Sequence, residues 1–131
     1  MCEKAKNFYG EKMISTGIDI VKIDRIQKMC LQYHSDWWIR HIGTKQEWDY
    51  AHSKNNFSES LAGIFAAKES YIKAVSNYIK KPALGDVEVF HSPEGRPYFS
   101  SNRNDLISSQ LQVSISHEKE YAIAIVLFIS D

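Results

Sequence analysis

The stretch Leu61–Ser76, L-A-G-I-F-A-A-K-E-S-Y-I-K-A-V-S, constrains this chain more than any other. At the helical step of ~100° per residue, Leu61, Phe65, Ile72 and Val75 fall on one apolar stripe. Ile64 and Tyr71 widen it around the side. A helix this apolar belongs in the middle of a domain. Beside the stripe lie Ala62, Ala66, Glu69 and Lys73: two small residues, then a carboxylate and an amine one turn apart. Small side chains there let a ligand approach the backbone, where the Glu and Lys can meet something charged. The alternative is an i,i+4 surface ion pair, worth a few tenths of a kcal/mol. Both readings stand at this point.

At 131 residues the chain fits one domain with a real core. Lys plus Arg and Asp plus Glu number 16 each, so no overall field favours nucleic acid or a membrane surface. Attraction to a charged partner must come from local patches. Cys2 and Cys30 are too few for a disulfide framework, which favours a reducing compartment. The start, M-C-E-K-A-K, is too polar for a signal peptide, and no apolar run nears the ~20 residues of a membrane span. The expectation is a cytoplasmic domain over residues 13–131, with 1–12 as a polar lead-in.

Met13–Ile23 is rich in β-branched residues and reads as a strand. Asp19 interrupts it between two isoleucines; either it lies on a solvent face or, buried, it needs a cation, and the cation is favoured. Gly17, two positions earlier on the same face, leaves room beside it. Asp24 reads as a helix N-cap with Gln27 completing a capping box, and Ile26, Met29, Cys30 and Tyr33 as the buried face. Arg25, Lys28 and Gln32 lie on the other side, by themselves a solvated face, although Arg25 in the first turn opposes the helix dipole and can be kept for a partner. Trp37–Ile39 reads as an apolar turn. Thr44 and Glu47 form a capping box opening a short helix to about Ala51, then a polar loop leads to Asn56 and Glu59, which cap the central helix.

Lys80-Lys81-Pro82 stops the helical pattern. Asp86–His91 and Arg96–Phe99 read as two strands around the turn Ser92-Pro93-Glu94-Gly95. Ser100–Gln110 reads as a short helix. Gln112–Ser116 and Tyr121–Ile129 form a hairpin around His117–Glu120. The last strand, apolar on both faces, reads as a central strand buried on both.

Four polar side chains stand out against apolar surroundings: Asp19, Glu69, Lys73 and His117. Two carboxylates from separate elements suit a hard cation that keeps waters and binds substrate phosphates, as Mg²⁺ does. A Lys one turn away can neutralise phosphate charge or protonate a leaving group. His117 follows Ser114 and Ser116, where hydroxyls and imidazole can meet a polar ligand. The chemistry suggested is metal-assisted phosphoryl transfer.

Four blocks carry a resemblance: G-I-D-I-V-K-I-D-R-I (Gly17–Ile26), F-A-A-K-E-S-Y-I-K-A (Phe65–Ala74), E-G-R-P-Y (Glu94–Tyr98) and V-S-I-S-H-E-K-E-Y-A-I-A (Val113–Ala124). In this order they resemble the holo-acyl-carrier-protein synthase family, the stand-alone 4′-phosphopantetheinyl transferases. The resemblance covers about Met13 to Ile129. It implies a single-domain α+β fold, a small antiparallel sheet with a long central helix, assembled as a homotrimer with sites between subunits. The implied reaction moves the 4′-phosphopantetheine arm of coenzyme A to a serine of apo acyl carrier protein, releasing 3′,5′-ADP. Asp19 and Glu69 would hold Mg²⁺, Lys73 would assist the leaving group, and His117 would contact the coenzyme. Lys68, Arg96, Pro97 and Ser116 fall in the blocks that would bind the coenzyme. Arg25, with Lys28, would meet the acidic recognition helix of the carrier.

The chain departs from the family pattern at Ile64, where an Arg is usual, at Lys54-Asn55-Asn56, usually a more basic loop, and at Lys22, Gln32 and Ser35. A basic side chain at position 64 would reach a coenzyme phosphate, so Ile64 implies weaker binding unless the position belongs to the core. The alternatives to the transferase are a non-catalytic relative that binds carrier or coenzyme, and a phosphohydrolase using the same metal site.

Overall fold

A computed structural model describes residues 13–130; the lead-in read over residues 1–12, and Cys2 with it, lies outside the described residues. Strand β1 (Ile14–Lys22) pairs antiparallel with β5 (Tyr121–Ile129), and β5 pairs with β4 (Leu111–His117), in the order β1-β5-β4. β5 is the central strand, as expected. Its Ala122, Ala124, Val126 and Phe128 are buried toward helix α3 (Phe57–Val75). The other face is not covered by the described residues: Ile125 is exposed and Ile123 and Leu127 are half-buried. Burial on both faces is therefore corrected for a single copy. Ile14, Ile18 and Ile20 continue that outer surface at 63%, 54% and 60% exposure.

Helix α3 crosses the inner face of the sheet from β4 to β1, and small residues let it sit close. Ser70 Oγ donates to the Ala124 carbonyl at 3.0 Å. A Cβ on Gly63 would lie 2.8 Å from Ile115 Cγ2. Gly17 is tighter: a Cβ there would run into the Ser70 carbonyl oxygen and lie 2.7 Å from Ala74 N. The room beside Asp19 is therefore filled by the backbone of α3. Ala62 and Ala66, expected to admit a ligand, are fully buried and serve the same close packing.

On the far side of α3 lie helices α1 (Ile23–His41) and α2 (Lys45–His52) and the hairpin β2 (Val87–His91) and β3 (Pro97–Ser101). β1 runs directly into α1, whose N-cap is Lys22, with no side-chain capping bond. Asp24 is thus a first-turn residue, not the cap, and Ile23 N–H donates to Glu120 O at 2.9 Å. α1 breaks at His34, where φ is +59°, and Tyr33, expected on the buried face, is 47% exposed. Trp37–Ile39 is helical, not a turn; Trp38 is buried and its Nε1 donates to Thr44 O at 3.1 Å. The Thr44–Glu47 capping box forms in both directions. In the β2–β3 turn Gly95 takes φ +92° and its N–H reaches Ser92 O at 2.8 Å.

α3 stops at Val75, before Lys80-Lys81-Pro82. The helix expected over Ser100–Gln110 is replaced by the end of β3 and a single 3₁₀ turn at Ser108–Gln110. Its polar side chains bond elsewhere instead of leaving the backbone to a helix: Ser108 Oγ accepts from Ser101 N, and Arg103 pairs with Asp86 and Asp105.

The contact at Gly17 generates a prediction. Gly17→Ala forces the sheet and α3 apart, and overpacking of this kind costs about 1–3 kcal/mol. Urea denaturation should show that loss. A variant as stable as the parent contradicts the close approach of β1 and α3.

Candidate functional site

Asp19 lies on the inner face of β1, opposite Ala124. The cation it called for is Lys73: Nζ sits 3.3 Å from Asp19 Oδ1 and donates to the Ile18 carbonyl at 2.9 Å. The Lys73 side chain is 55% exposed and that of Asp19 only 20%, so the pair faces solvent from a shallow recess. A pair this open contributes little to stability. Glu69, half-buried, lies one helical turn before Lys73 on the same flank of α3. The fold thus brings Asp19 and Lys73 into contact, with Glu69 one turn away along α3.

His117 lies elsewhere. It ends β4 and pairs in register with Ala122, whereas Asp19 pairs with Ala124 on the other side of β5. Two strand spacings, roughly 10 Å, separate the two edges. His117 Nδ1 is 3.2 Å from Glu59 Oε2, at the start of α3. Both line a cleft of about 140 Å³ with Gly63, Pro97, Tyr50 and His91. His91 stacks on Tyr50 with ring centroids 3.9 Å apart and planes within 5°. Burial, then the nearby Lys54 charge, holds its pKa below the usual value, and its Nδ1 is buried without a hydrogen-bond partner. Tyr50, Glu59 and His91 were not singled out as site residues. Their only local signal is Glu59's place in the cap of α3.

Other expected site residues are dispersed. Ser116 precedes His117 on one strand, so their side chains leave opposite faces of the sheet. Ser114 and Ser116 belong to the outer face with Ile18, Ile123 and Ile125. The joint hydroxyl–imidazole site is therefore corrected. Arg96 is exposed in the β2–β3 turn, next to Pro97 at the cleft. Arg25 is exposed on α1, its guanidinium 5.7 Å from the Phe65 ring, and Lys28 pairs with Asp24 at 3.1 Å. Ile64 is 1% exposed, so the position belongs to the core, and the gain in affinity expected from a basic side chain there is withdrawn.

Lys68 is the largest departure. Its side chain is fully buried, 3.1 Å from Glu47 Oε2, and it donates to the carbonyls of Val87 at 2.6 Å and Leu84 at 3.3 Å. Glu47 in turn accepts from Val89 N at 2.7 Å and Thr44 N at 2.9 Å. Burial pushes the Glu47 carboxyl up and the Lys68 ammonium down, and each charge opposes the other's shift. Lys68 holds the fold and does not face a coenzyme. Cys30 is likewise no nucleophile, since burial raises its thiol to about 11.

Among the described residues no three His, Cys, Asp or Glu side chains cluster as a closed metal site. Asp19 and Glu69 fit the other kind of site, two hard oxygen donors with the remaining positions left to water and substrate.

A family model described as the 4′-phosphopantetheinyl transferase superfamily matches residues 15–126. The holo-[acyl-carrier-protein] synthase of Halothermothrix orenii is 35% identical over 117 residues, covering 85% of this chain and 93% of that protein. That of Halalkalibacterium halodurans is 38% identical over 118 residues, covering 88% and 94%. Among solved structures, the Bacillus anthracis holo-(acyl-carrier-protein) synthase in complex with CoA (3′,5′-ADP) aligns with a TM-score of 0.70 at 35% identity. It covers 89% of this chain and 96% of that one. The Helicobacter pylori enzyme in complex with coenzyme A aligns at 0.72 with 32% identity, covering 90% and 100%.

The buried ion pair makes the position of Lys68 testable. Lys68→Met leaves Glu47 charged and unpaired in the core, which costs about 3–5 kcal/mol. Denaturant unfolding should show that loss, and a smaller one when Glu47→Leu accompanies it. Unchanged stability with weakened coenzyme binding would instead place Lys68 at the ligand.

Proposed function

The chain belongs to the 4′-phosphopantetheinyl transferase superfamily, and we propose that the Asp19, Glu69 and Lys73 cluster carries its reaction with Mg²⁺ bound. The enzyme is a phosphopantetheinyl transferase that moves the 4′-phosphopantetheine arm of coenzyme A to a serine of apo acyl carrier protein. The serine oxygen forms a bond to the phosphorus that bears the pantetheine. The bond from that phosphorus to the bridging oxygen breaks, and 3′,5′-ADP leaves. The observation that carries the assignment of residues is the contact of Lys73 with Asp19 across the β1–α3 seam.

Asp19 and Glu69 would hold Mg²⁺, which when bound polarises the phosphorus and offsets charge on the pyrophosphate oxygens. Lys73 keeps its ammonium in place through the Ile18 carbonyl, so it can turn from Asp19 toward the leaving phosphate and stabilise or protonate it. A carboxylate of the cluster, or a water it holds, takes the proton from the carrier serine. His117, at the cleft with Pro97, would contact the coenzyme.

The proposed assembly is a homotrimer with sites between subunits. Two features support it: the exposed isoleucines on the outer sheet face, and the placement of Asp19 and His117 on opposite edge strands. The proposed location is the cytoplasm; no helix among the described residues is long and apolar enough to cross a membrane.

Incubation with coenzyme A, Mg²⁺ and an apo acyl carrier protein, followed by the carrier's mass, tests the assignment. Glu69→Gln and Asp19→Asn should keep the fold and lose most turnover, because a neutral amide is a poor Mg²⁺ ligand. Chelation should abolish transfer by the parent. Full activity in either variant sinks the metal assignment.

Carrier docking is proposed at Arg25 on the exposed side of α1, with Lys28 nearby. With formal net charge +0, attraction to an acidic carrier has to be local. Arg25→Glu should raise the KM for carrier more than that for coenzyme A, and added salt should narrow the difference. Equal effects on both substrates assign Arg25 a structural role over Phe65.

A further inference from the structure

Glu59 departs from the local rule that its position sets. It stands three residues after the N-cap Asn56, where a Glu ordinarily reaches back to the cap's own N–H and closes a capping box. Glu47 does this in α2. In α3 only one half of the box exists: Asn56 Oδ1 accepts from Glu59 N at 3.0 Å, and the Glu59 carboxylate turns to His117 Nδ1 at 3.2 Å. Its side chain is 23% exposed, so the carboxylate is held in the wall of the cleft. A local rule broken beside a cleft points to a use for the side chain there.

We propose that Glu59 is a positioning residue for His117. This rests on the reading that His117 contacts the coenzyme. An imidazole is oriented by whatever partners one of its nitrogens, and the other is then directed by default. With Nδ1–H facing Glu59, Nε2 is the nitrogen left for a ligand in the cleft. The contact spans from the first turn of α3 to the end of β4, both held by the seam at Gly63 and Ile115, so the ring is fixed between rigid elements. Without the carboxylate, His117 is a half-exposed side chain free to rotate at a strand end, and the coenzyme must fix it on binding. Glu59 thus lowers the cost of binding without touching the reacting atoms.

Calorimetric titration of coenzyme A into the full chain with Mg²⁺ present decides this, using Glu59→Ala, Glu59→Gln, His117→Ala and the double alanine variant. A melting curve for each shows that it is folded. The expected result is a roughly tenfold weaker Kd for Glu59→Ala, the size of one lost hydrogen bond. Glu59→Gln should recover most of the affinity, since its amide oxygen still accepts from Nδ1–H. The double variant should be no weaker than His117→Ala, because two residues acting through one contact are not additive. A Kd unchanged by Glu59→Ala while His117→Ala weakens binding overturns the positioning role alone, as do additive losses. A Kd unchanged by His117→Ala removes His117 from the coenzyme and this inference with it.

Discussion

The buried ammonium of Lys68 is the constraint around which the far side of the fold is arranged. An amine taken wholly out of water needs its charge and its donors answered together, and Glu47, Val87 O and Leu84 O do so from three elements. The same carboxylate completes the cap of α2 through Thr44 and binds the β2 backbone at Val89. One ion pair therefore fixes α2 and β2 against α3. The cost of burying the pair is large, and these contacts offset it by giving the ammonium and the carboxylate partners in each of the elements they join. Its neighbour Glu69 has the opposite fate. A step of ~100° turns it from the core side of α3 to the flank beside Asp19. The Lys-Glu dipeptide thus joins the scaffold to the site, with the first residue holding the helix in place and the second presented by it.

Close approach on the other side completes that placement. Gly17 and the small residues of α3 bring helix and sheet near enough for Ser70 to bond the backbone of β5 and for Lys73 to reach that of β1. The contact between Lys73 and Asp19 follows from this spacing. Any side chain at position 17 widens the seam where those two meet.

Where local chemistry decides the structure, the sequence was legible. The central place of Tyr121–Ile129, the Thr44–Glu47 box and the Ser92–Gly95 turn could be read from adjacent residues, although the burial expected on both faces of that strand could not. That Asp19 needs a cation could be read from its place between isoleucines; that Lys73 supplies one could not, since the two meet only across the helix–sheet seam. Misreadings arose where distant contacts win. Asp24 looks like a cap, yet Ile23 N–H is satisfied by Glu120 and the helix begins earlier. Ser100–Gln110 has helical length but gives its polar groups to β3 and Asp86. Lys68 read as a ligand group, and Ile64 as the loss of one, because a family pattern is blind to which side of α3 is buried. Ser116 and His117 are adjacent in sequence and separated by the thickness of the sheet. Tyr50 and His91, far apart in the chain, meet only in the folded cleft.

The division of polar groups between the two edges of the sheet bears on how the enzyme is assembled. In one copy Asp19 and Lys73 occupy the β1 edge and His117 the β4 edge, with α3 lying across the sheet. A ligand on one edge meets only half of these groups. The apolar outer face supplies a reason for copies to associate, since Ile14, Ile18, Ile20 and Ile125 would gain burial that the described residues of one copy do not give them. In the proposed trimer a site between subunits would join the β1 edge of one copy to the β4 edge of the next. Ser114 and Ser116, which point away from His117, would then lie within the subunit contact, where hydroxyls on strands pair with neighbouring backbone or one another. On the proposed arrangement each block of the sequence would have a use: the Gly17 block for the metal edge, the His117 block for the coenzyme edge, and the isoleucines between them for bringing the two together.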